Sequence, residues 1–369
     1  MRIGYDAKRI FHNASGLGNY GRDLVSNLAI SFPKTEFYLY NPKKPSVNRW
    51  RSLPNTKTRK PAGIWRYFHA IWRQGPISRQ LKADQIDLYH GLSGELPKGL
   101  KTASVVTVHD LIFMRYPKLY KAADVYIHKR KVNHAVSAAT KVVAISEQTK
   151  ADLLEFTTVT EDKVSVIYQG CHRVFKNKLN EKEKEEIRVK YGLPDTFVLY
   201  VGTLEKRKNA LSIAKALKDS VLHMVFIGKV KAHGEKIKAF VAENKMQNRV
   251  IFIEGIGLDD LAGVYQNATV FCYPSFFEGF GIPIIEALYS GVPVITTKGG
   301  CFSEAGGPAS LYVDPKDEKE LQQAINTLFF ESEERRSLRI KEGISYVQKF
   351  NDDVIVAQWE KLYQSVTHG

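Results

Sequence analysis

Cysteine is scarce in this 369-residue chain: Cys171, Cys272 and Cys301 form an odd, scattered set with no CxxC pair. That excludes a disulfide framework and reads as reduced core thiols in a cytoplasmic protein. Long apolar runs are missing too. The longest hold four or five residues, so no segment can span a bilayer as a helix. The opening Met1–Asp6 is too short and too soon acidic to be a signal peptide. No repeat of the kind that builds solenoids is visible. Against these absences stand 44% apolar and 25% charged residues, an ordinary globular composition that excludes a disordered chain. At roughly 150 residues per domain, the length suggests two domains with real cores.

Acidic residues are outnumbered, and the imbalance is local. The formal net charge is +15; residues 1–172 hold 27 Lys and Arg against 13 Asp and Glu, whereas residues 173–369 hold 27 against 26. The front half therefore faces an anionic partner and the back half does not. Nucleic acid, an anionic membrane surface and a phosphorylated substrate all satisfy that condition. The densest stretch, Arg49 to Lys82, interleaves Arg49, Arg51, Lys57, Arg59, Lys60, Arg66, Arg73, Arg79 and Lys82 with Trp50, Trp65, Tyr67, Phe68 and Trp72. Aromatics beside cations suit a lipid headgroup interface or stacked single-stranded nucleic acid. They equally suit a solvated loop and helix whose aromatics are core.

Hydropathy alternates along the whole chain. The front half predicts strands at Arg2–Asp6, Glu36–Tyr40, Leu88–His90, Ala103–His109, Lys141–Ile145 and Val164–Tyr168, with helical patterns such as Asn19–Ser31 and Ala123–Ala139 between them. A break follows Gly170: Lys176–Glu186 is almost wholly polar and runs into a helix stopped at Gly192-Leu193-Pro194. The alternation then restarts, with strands at Phe197–Val201, His223–Gly228, Val250–Ile253, Thr269–Tyr273 and Val292–Thr296. Helices are expected at Leu211–Lys218, Glu235–Asn244, Asp259–Gln266, Ile284–Ser290 and, last, Asp353–Ser365. The fold class is α/β: two doubly wound Rossmann-like domains, residues 1–172 and 173–352, followed by a helix in 353–369 that crosses back to the first domain. In such sheets ligands bind outside the carboxyl ends of the strands. If those ends face one another, the site is the cleft between the domains.

The motifs cluster after strand ends. In Pro274–Ala287 a strand gives way to a glycine-bearing loop, and Pro283 sits where a first helical position would be. The N–H groups of Phe280, Gly281 and Ile282 would converge with the helix N-terminus on an anion, such as a diphosphate. Glu286 falls in the first helical turn and Glu278 eight residues earlier in the loop. Two glutamates beside an anion site repel a phosphate unless each bonds something neutral, such as a sugar or ribose hydroxyl. A helix-dipole role is the plainer alternative, which serves Glu286 and not Glu278. After an earlier strand end come Gly202 and Thr203, then Arg207 and Lys208, adjacent cations suited to a diphosphate or merely to a solvated loop. Ser15–Gly21 opens a helix after the first strand with Gly16 and Gly18, which permit close backbone approach. His109, followed by Asp110, ends another strand; there it can donate to a bound group or help position an acceptor, although a lone sheet histidine is usually structural. His90 is similarly placed.

Glu278 to Glu286 resembles the E-x7-E element of the family 4 glycosyltransferases, retaining enzymes of the two-domain GT-B fold. The resemblance implies that Glu278 lies by the donor sugar and Glu286 holds the ribose. Gly202–Asn209 resembles that family's G-T-x-E-P-R-K-N segment, with Lys206 where Pro is usual. It implies that Arg207 and Lys208 stabilise the leaving nucleoside diphosphate, so that neither metal nor other cofactor is required; the chain has no D-x-D, which agrees. By the same resemblance Gly16 and Gly18 belong to a glycine-rich loop facing the donor, His109 lies near the transferred sugar, and the backbone at Ile256 reads the nucleobase. The Ile145-Ser146-Glu147 step, Gly299-Gly300 with Glu304, and Val313-Asp314-Pro315 match further family segments. The likeness is strong over residues 196–316 and weaker over 35–100, where acceptors are bound. The catalytic set is then His109, Arg207, Lys208 and Glu278, and the donor-binding set adds Gly16, Gly18, Gly202, Thr203, Ile256, Phe280, Gly281, Ile282 and Glu286.

The expected activity is metal-independent, retaining transfer of a hexose from a nucleotide sugar to a glycan or lipid-linked acceptor, in bacterial surface polysaccharide synthesis. The segments Thr203–Asn209 and His109–Pro117 look most like bacterial mannosyltransferases, which favours GDP-mannose over a UDP-sugar. The basic front half would dock peripherally on the inner face of the cytoplasmic membrane. The alternatives are a UDP-sugar-dependent transferase, a nucleotide-sugar 2-epimerase or phosphorylase on the same fold, and a charge-driven nucleic-acid binder. The last would leave Glu278, Glu286 and the diphosphate loops idle, so no nucleic-acid partner is expected.

Overall fold

The short apolar runs form parallel strands, most of them buried on both faces. A computed structural model describes residues 1–367. Strands β1 (Arg2–Asp6), β2 (Glu36–Tyr40), β3 (Thr56–Arg59), β4 (Leu88–Gly91), β5 (Ala103–Val108), β6 (Lys141–Ala144) and β7 (Val164–Val166) make one seven-stranded sheet in the order 3-2-1-4-5-6-7. Strands β8 (Val198–Val201), β9 (Met224–Ile227), β10 (Val250–Ile253), β11 (Val270–Tyr273), β12 (Val294–Thr297) and β13 (Leu311–Val313) make a second, six-stranded sheet in the order 10-9-8-11-12-13. Both are doubly wound, and each reverses its strand order once, between β1 and β4 and between β8 and β11. Those reversals leave a crevice at the carboxyl ends where ligands of open α/β sheets bind.

The chain divides into two units: residues 1–169 together with the helix Asp352–Thr367, and residues 170–351. The last helix is held in the first unit by its apolar stripe. Ile355, Val356, Trp359, Leu362 and Tyr363 are buried in one core with Tyr5, Leu24 and Leu28. The opposite face of that sheet carries a second core, where Trp72, Leu81, Val132 and Val136 pack on Tyr40, Tyr89 and Val106. In the second unit β8, β9, β11 and β12 are wholly buried.

Three differences from the sequence reading have physical causes. Strands β3 and β13 were not expected; both lie at sheet edges, and β3, Thr-Lys-Thr-Arg, carries no apolar residue to mark it. The expected glycine loop is largely helix: the second helix of the chain runs Gly16–Ser31, with Ser15 as its N-cap. Gly18 is needed there, because a Cβ would lie 1.9 Å from the Asn13 carbonyl oxygen. Glu286 is not in a first turn either. Its helix starts at Ile282, so Glu286 is the fifth residue, beyond most of the helix-terminal field.

Candidate functional site

In the second unit the loops after β8 and β11 are joined into one block at the strand-order reversal. The Phe276 N–H donates to the Arg207 carbonyl at 2.9 Å. Asn209 Nδ2 donates to the carbonyls of Pro274 at 3.1 Å and Pro315 at 2.7 Å. Thr297 Oγ1, at the end of β12, donates to the Ser275 carbonyl at 2.6 Å. A short 3-10 turn, Lys206–Lys208, turns the two cations inward and leaves Lys206 exposed. Lysine in place of proline therefore costs no interior contact.

Within this block Arg207, Lys208 and Glu278 meet. Arg207 Nη1 lies 2.9 Å from Glu278 Oε2, and Lys208 Nζ donates to Glu278 Oε1 at 3.0 Å. Oε1 also accepts from Tyr273 Oη at 2.9 Å and Ser275 Oγ at 2.8 Å. Lys208 Nζ in turn donates to Tyr273 Oη at 2.7 Å, and Arg207 donates to the Phe277 carbonyl and to Glu205. Burial pushes the Glu278 carboxyl up, but the charges of Lys208 and Arg207 outweigh it and hold it down at about 2. Burial would likewise depress Arg207, and Glu278 reverses that, so the guanidinium stays charged. Two cations share Glu278, and Glu205 is divided between Arg207 and Lys231, so three cations meet two acids and the cluster keeps a net positive charge in a half-buried, low-dielectric place. Such a place favours an anion.

The other expected donor-binding residues of this unit fall around the same end of the sheet. Gly202 follows β8 directly; a Cβ there would lie 3.4 Å from Lys208 Cδ, so the turn and the cation are neighbours. Thr203 is fixed by its carbonyl, which accepts from Tyr200 Oη. Gly281 is the N-cap of helix Ile282–Tyr289 with φ of 113°, a conformation that strains any residue with a Cβ. Phe280 is buried by side chain, edge-on to Phe350. Glu286 Oε2 accepts from Tyr265 Oη at 3.0 Å. Ile256 stands beyond β10, the edge strand two places out from β8.

The remaining expected residues, His109, Gly16 and Gly18, belong to the first unit. His109 Nε2 bonds the Leu92 carbonyl at 2.9 Å and must donate, since a carbonyl only accepts; Nδ1 then accepts from Gln169 Nε2 at 2.8 Å. Burial lowers the ring to about 4. Both nitrogens are engaged, an arrangement that positions the ring rather than freeing it to move a proton. His90 is structural: fully buried, bonded to Thr107 and Tyr363, and lowered by burial to about 3. Among the described residues no group of three or more His, Cys, Asp and Glu side chains is arranged to hold a metal ion. The sequence reading missed Tyr273, Ser275 and Tyr265, which hold the two glutamates. A polar tip on the last residue of a strand, as at Tyr273, is the signal that could have found the first.

Comparison with known proteins gives this geometry a class. The family model described as Glycosyltransferase Family 4 matches residues 14–173, and the one described as Glycosyl transferases group 1 matches residues 183–343. O-antigen chain mannosyltransferase B of Escherichia coli is 23% identical over 383 residues, covering 99% of this chain and all of that one. O-antigen chain mannosyltransferase RfbU of Salmonella typhimurium is 30% identical over 230 residues, 60% of either chain. Among solved structures, sucrose-phosphate synthase from Thermosynechococcus elongatus superposes with a TM-score of 0.81 at 22% identity, over 99% of this chain and 98% of that one. The protein is a glycosyltransferase with the GT-B type of fold. It belongs to the family 4 glycosyltransferases.

Proposed function

We propose that this enzyme transfers mannose from GDP-mannose, with retention and without a metal, to a hydroxyl of a lipid-linked glycan in bacterial surface polysaccharide synthesis. The acceptor hydroxyl oxygen bonds the anomeric carbon, the bond from that carbon to the diphosphate oxygen breaks, and the acceptor proton passes to the departing phosphate. Charge then grows on the nucleoside diphosphate. Arg207 and Lys208 oppose it, the form of electrostatic stabilisation that dominates many enzymes. Glu278, held ionised, accepts from hydroxyls of the sugar, and Glu286 from the ribose. The observation that carries the reading is the shared carboxylate: Glu278 fixes both cations at the carboxyl ends of β8 and β11.

Support for mannose comes from the two O-antigen relatives, both named as mannosyltransferases. Support for metal independence comes from the paired cations and from the lack of D-x-D in the chain. A lipid-linked acceptor at the inner face of the cytoplasmic membrane accounts for the basic first half. A thermal-shift panel of GDP- and UDP-sugars, with and without EDTA, tests the donor. A rise in Tm with GDP-mannose, larger than with any UDP-sugar and untouched by EDTA, is expected. A larger rise with a UDP-sugar overturns the donor, and an EDTA-sensitive one overturns metal independence.

A further inference from the structure

Residues 37–83 hold eleven Lys and Arg and not one Asp or Glu. Such a run must either find acids elsewhere in the fold or face a polyanion. Part of it is absorbed: Lys57 pairs with Glu36, Arg59 with Asp84, and Arg73 with Asp6 and Glu95. Arg79 is not, and neither is Lys98, which stands beside it. Among the described residues no hydrogen bond or ion pair occupies either side chain. Both border an open surface hollow of about 340 Å3, whose wall is completed by Trp65, Gly75, Pro76, Ser78 and Gly99. The frame of this hollow is fixed: the Lys98 N–H donates to the Gln74 carbonyl at 2.6 Å, the Ser78 N–H to the Gly75 carbonyl at 3.0 Å, and Trp65 packs on the core beneath.

Next to the hollow the chain turns apolar side chains outward. Ile64, Tyr67, Phe68 and Ile71 are 64, 69, 49 and 54% exposed. Their exposure does not come from a loose segment. Trp72 is fully buried beneath them, and Arg73 is clamped between Asp6 at 2.7 Å and Glu95 at 2.6 Å. The short helix His69–Gln74 is thus anchored on one face and bare on the other. Four exposed apolar residues in eight positions form a patch that a solitary soluble surface rarely carries.

We propose that this face docks on an anionic phospholipid bilayer, with Ile64, Tyr67, Phe68 and Ile71 entering the headgroup boundary and a lipid phosphate seated between Arg79 and Lys98 against Trp65. Charge complementarity selects the occupant. An anionic bilayer supplies phosphate for the two unpartnered cations and hydrocarbon for the two isoleucines in one surface. A single-stranded nucleic acid matches the cations and the aromatic rings, but it gives Ile64 and Ile71 nothing to bury against. Arg66, lying 4.8 Å over the Tyr67 ring, adds a cation at the rim. The proposal rests on the reading of a lipid-linked acceptor and gives it a point of delivery.

The test is flotation of the full-length enzyme with vesicles of phosphatidylcholine alone or mixed with phosphatidylglycerol, at low and high salt, with inorganic phosphate as a soluble competitor. Wild type is expected to float with the phosphatidylglycerol vesicles at low salt and to remain bound in the presence of phosphate. Arg79→Gln with Lys98→Gln should raise the lipid needed for half-binding about fivefold for each cation removed. Ile64→Ser, Tyr67→Ser, Phe68→Ser and Ile71→Ser together should abolish flotation. All these positions are on the surface, so both variants should keep the wild-type Tm. Flotation of both variants like wild type overturns the proposal. So does failure of wild type to float, equal flotation on phosphatidylcholine alone, release by inorganic phosphate, or a single-stranded oligonucleotide bound in place of vesicles. The donor reading fails separately: a wild type whose Tm no nucleotide sugar moves contradicts it and leaves the vesicle result standing.

Discussion

Over six strands the two sheets share one order, and they carry different charge balances at the same place in it. At the reversal between β1 and β4, two acids are balanced by two cations: Arg73 Nη2 lies 2.7 Å from Asp6 and 2.6 Å from Glu95, which also takes Lys131 at 3.1 Å. At the reversal between β8 and β11 cations outnumber acids: Arg207 and Lys208 share Glu278, and Glu205 is shared between Arg207 at 3.0 Å and Lys231 at 3.1 Å. Topology decides where polar groups collect, because strand ends leave a crevice there whatever the sequence. The sequence decides which sign is left over. The pKa directions alone would not separate the two clusters. Burial pushes up both Glu95 and Glu278, and neighbouring cations pull both down to about 2. What separates them is the remainder: the first cluster's guanidinium is consumed by carboxylates, the second keeps a surplus of positive charge for an anion.

The comparison breaks if the first cluster turns out to bind and the second merely to hold the fold. Arg73→Met should be the most damaging single change in the first unit, because it takes the ion-pair partner from buried Asp6 and leaves Glu95 with Lys131 alone. Removing one partner of a buried ion pair costs about 3–5 kcal/mol, readable as a lower urea midpoint. Lys208→Ala should do the reverse. Turnover should fall about 10²- to 10³-fold, the usual cost of one preorganised stabilising group, while the urea midpoint stays near wild type because Arg207, Tyr273 and Ser275 still cover Glu278. Equal stability losses in the two variants would mean that both clusters are structural.

How far the sequence carried this comparison differs between the two units. In the second, the glutamates, the cation pair and the glycine turns were all legible. Each sits just past an apolar run, and loop chemistry at strand ends has few other uses. Tyr273 and Tyr265 were not, because a tyrosine inside an apolar strand or helix reads as core, and both rings are in fact buried. In the first unit the charge count was legible and its distribution was not. No spacing rule pairs Arg73 with Asp6, 67 positions away, so a buried anchor and a solvent-facing cation looked alike within one basic run. The edge strand β3 escaped for a related reason: an edge strand need not be apolar on both faces, and only two-sided burial writes itself as a continuous run; β13 is apolar but only three residues long. Of the helix Gly16–Ser31 only the first turn escaped, because glycine disfavours helix by propensity, whereas here the Asn13 carbonyl leaves room for nothing larger at Gly18.

Acid should sharpen the contrast between the units. His90 and His109 are held neutral by burial, at about 3 and about 4 against 6.5 for an ordinary histidine. Between those values and 6.5 the unfolded chain binds protons that the folded chain refuses. Stability therefore rises with pH in this window and is lost as pH falls through it, by about 1.4 kcal/mol per pH unit for each ring. Both rings are in the first unit, so hydrogen exchange there should accelerate between pH 6.5 and 4 before exchange in β8 and β11 does. His90→Gln, which can still bond Thr107 and Tyr363, should remove about half of that slope. An unchanged slope would place the protons elsewhere.

The mildest test concerns Tyr265, whose hydroxyl touches Glu286 and whose ring is buried among core residues. Tyr265→Phe removes one charge-assisted donor and leaves the packing alone. A hydrogen bond of this kind contributes about 1–2 kcal/mol, and Glu286 would be held less firmly toward the ribose it is proposed to bind. Tyr265 acts only through Glu286, so the loss belongs to donor binding and not to the departing diphosphate. The donor KM should rise about five- to tenfold with kcat within about twofold of wild type. The opposite split, a lower kcat at constant KM, would assign Glu286 to the chemical step. It would also make the second unit's cluster larger, with Glu286 joining Glu278 and Glu205 in deciding its charge.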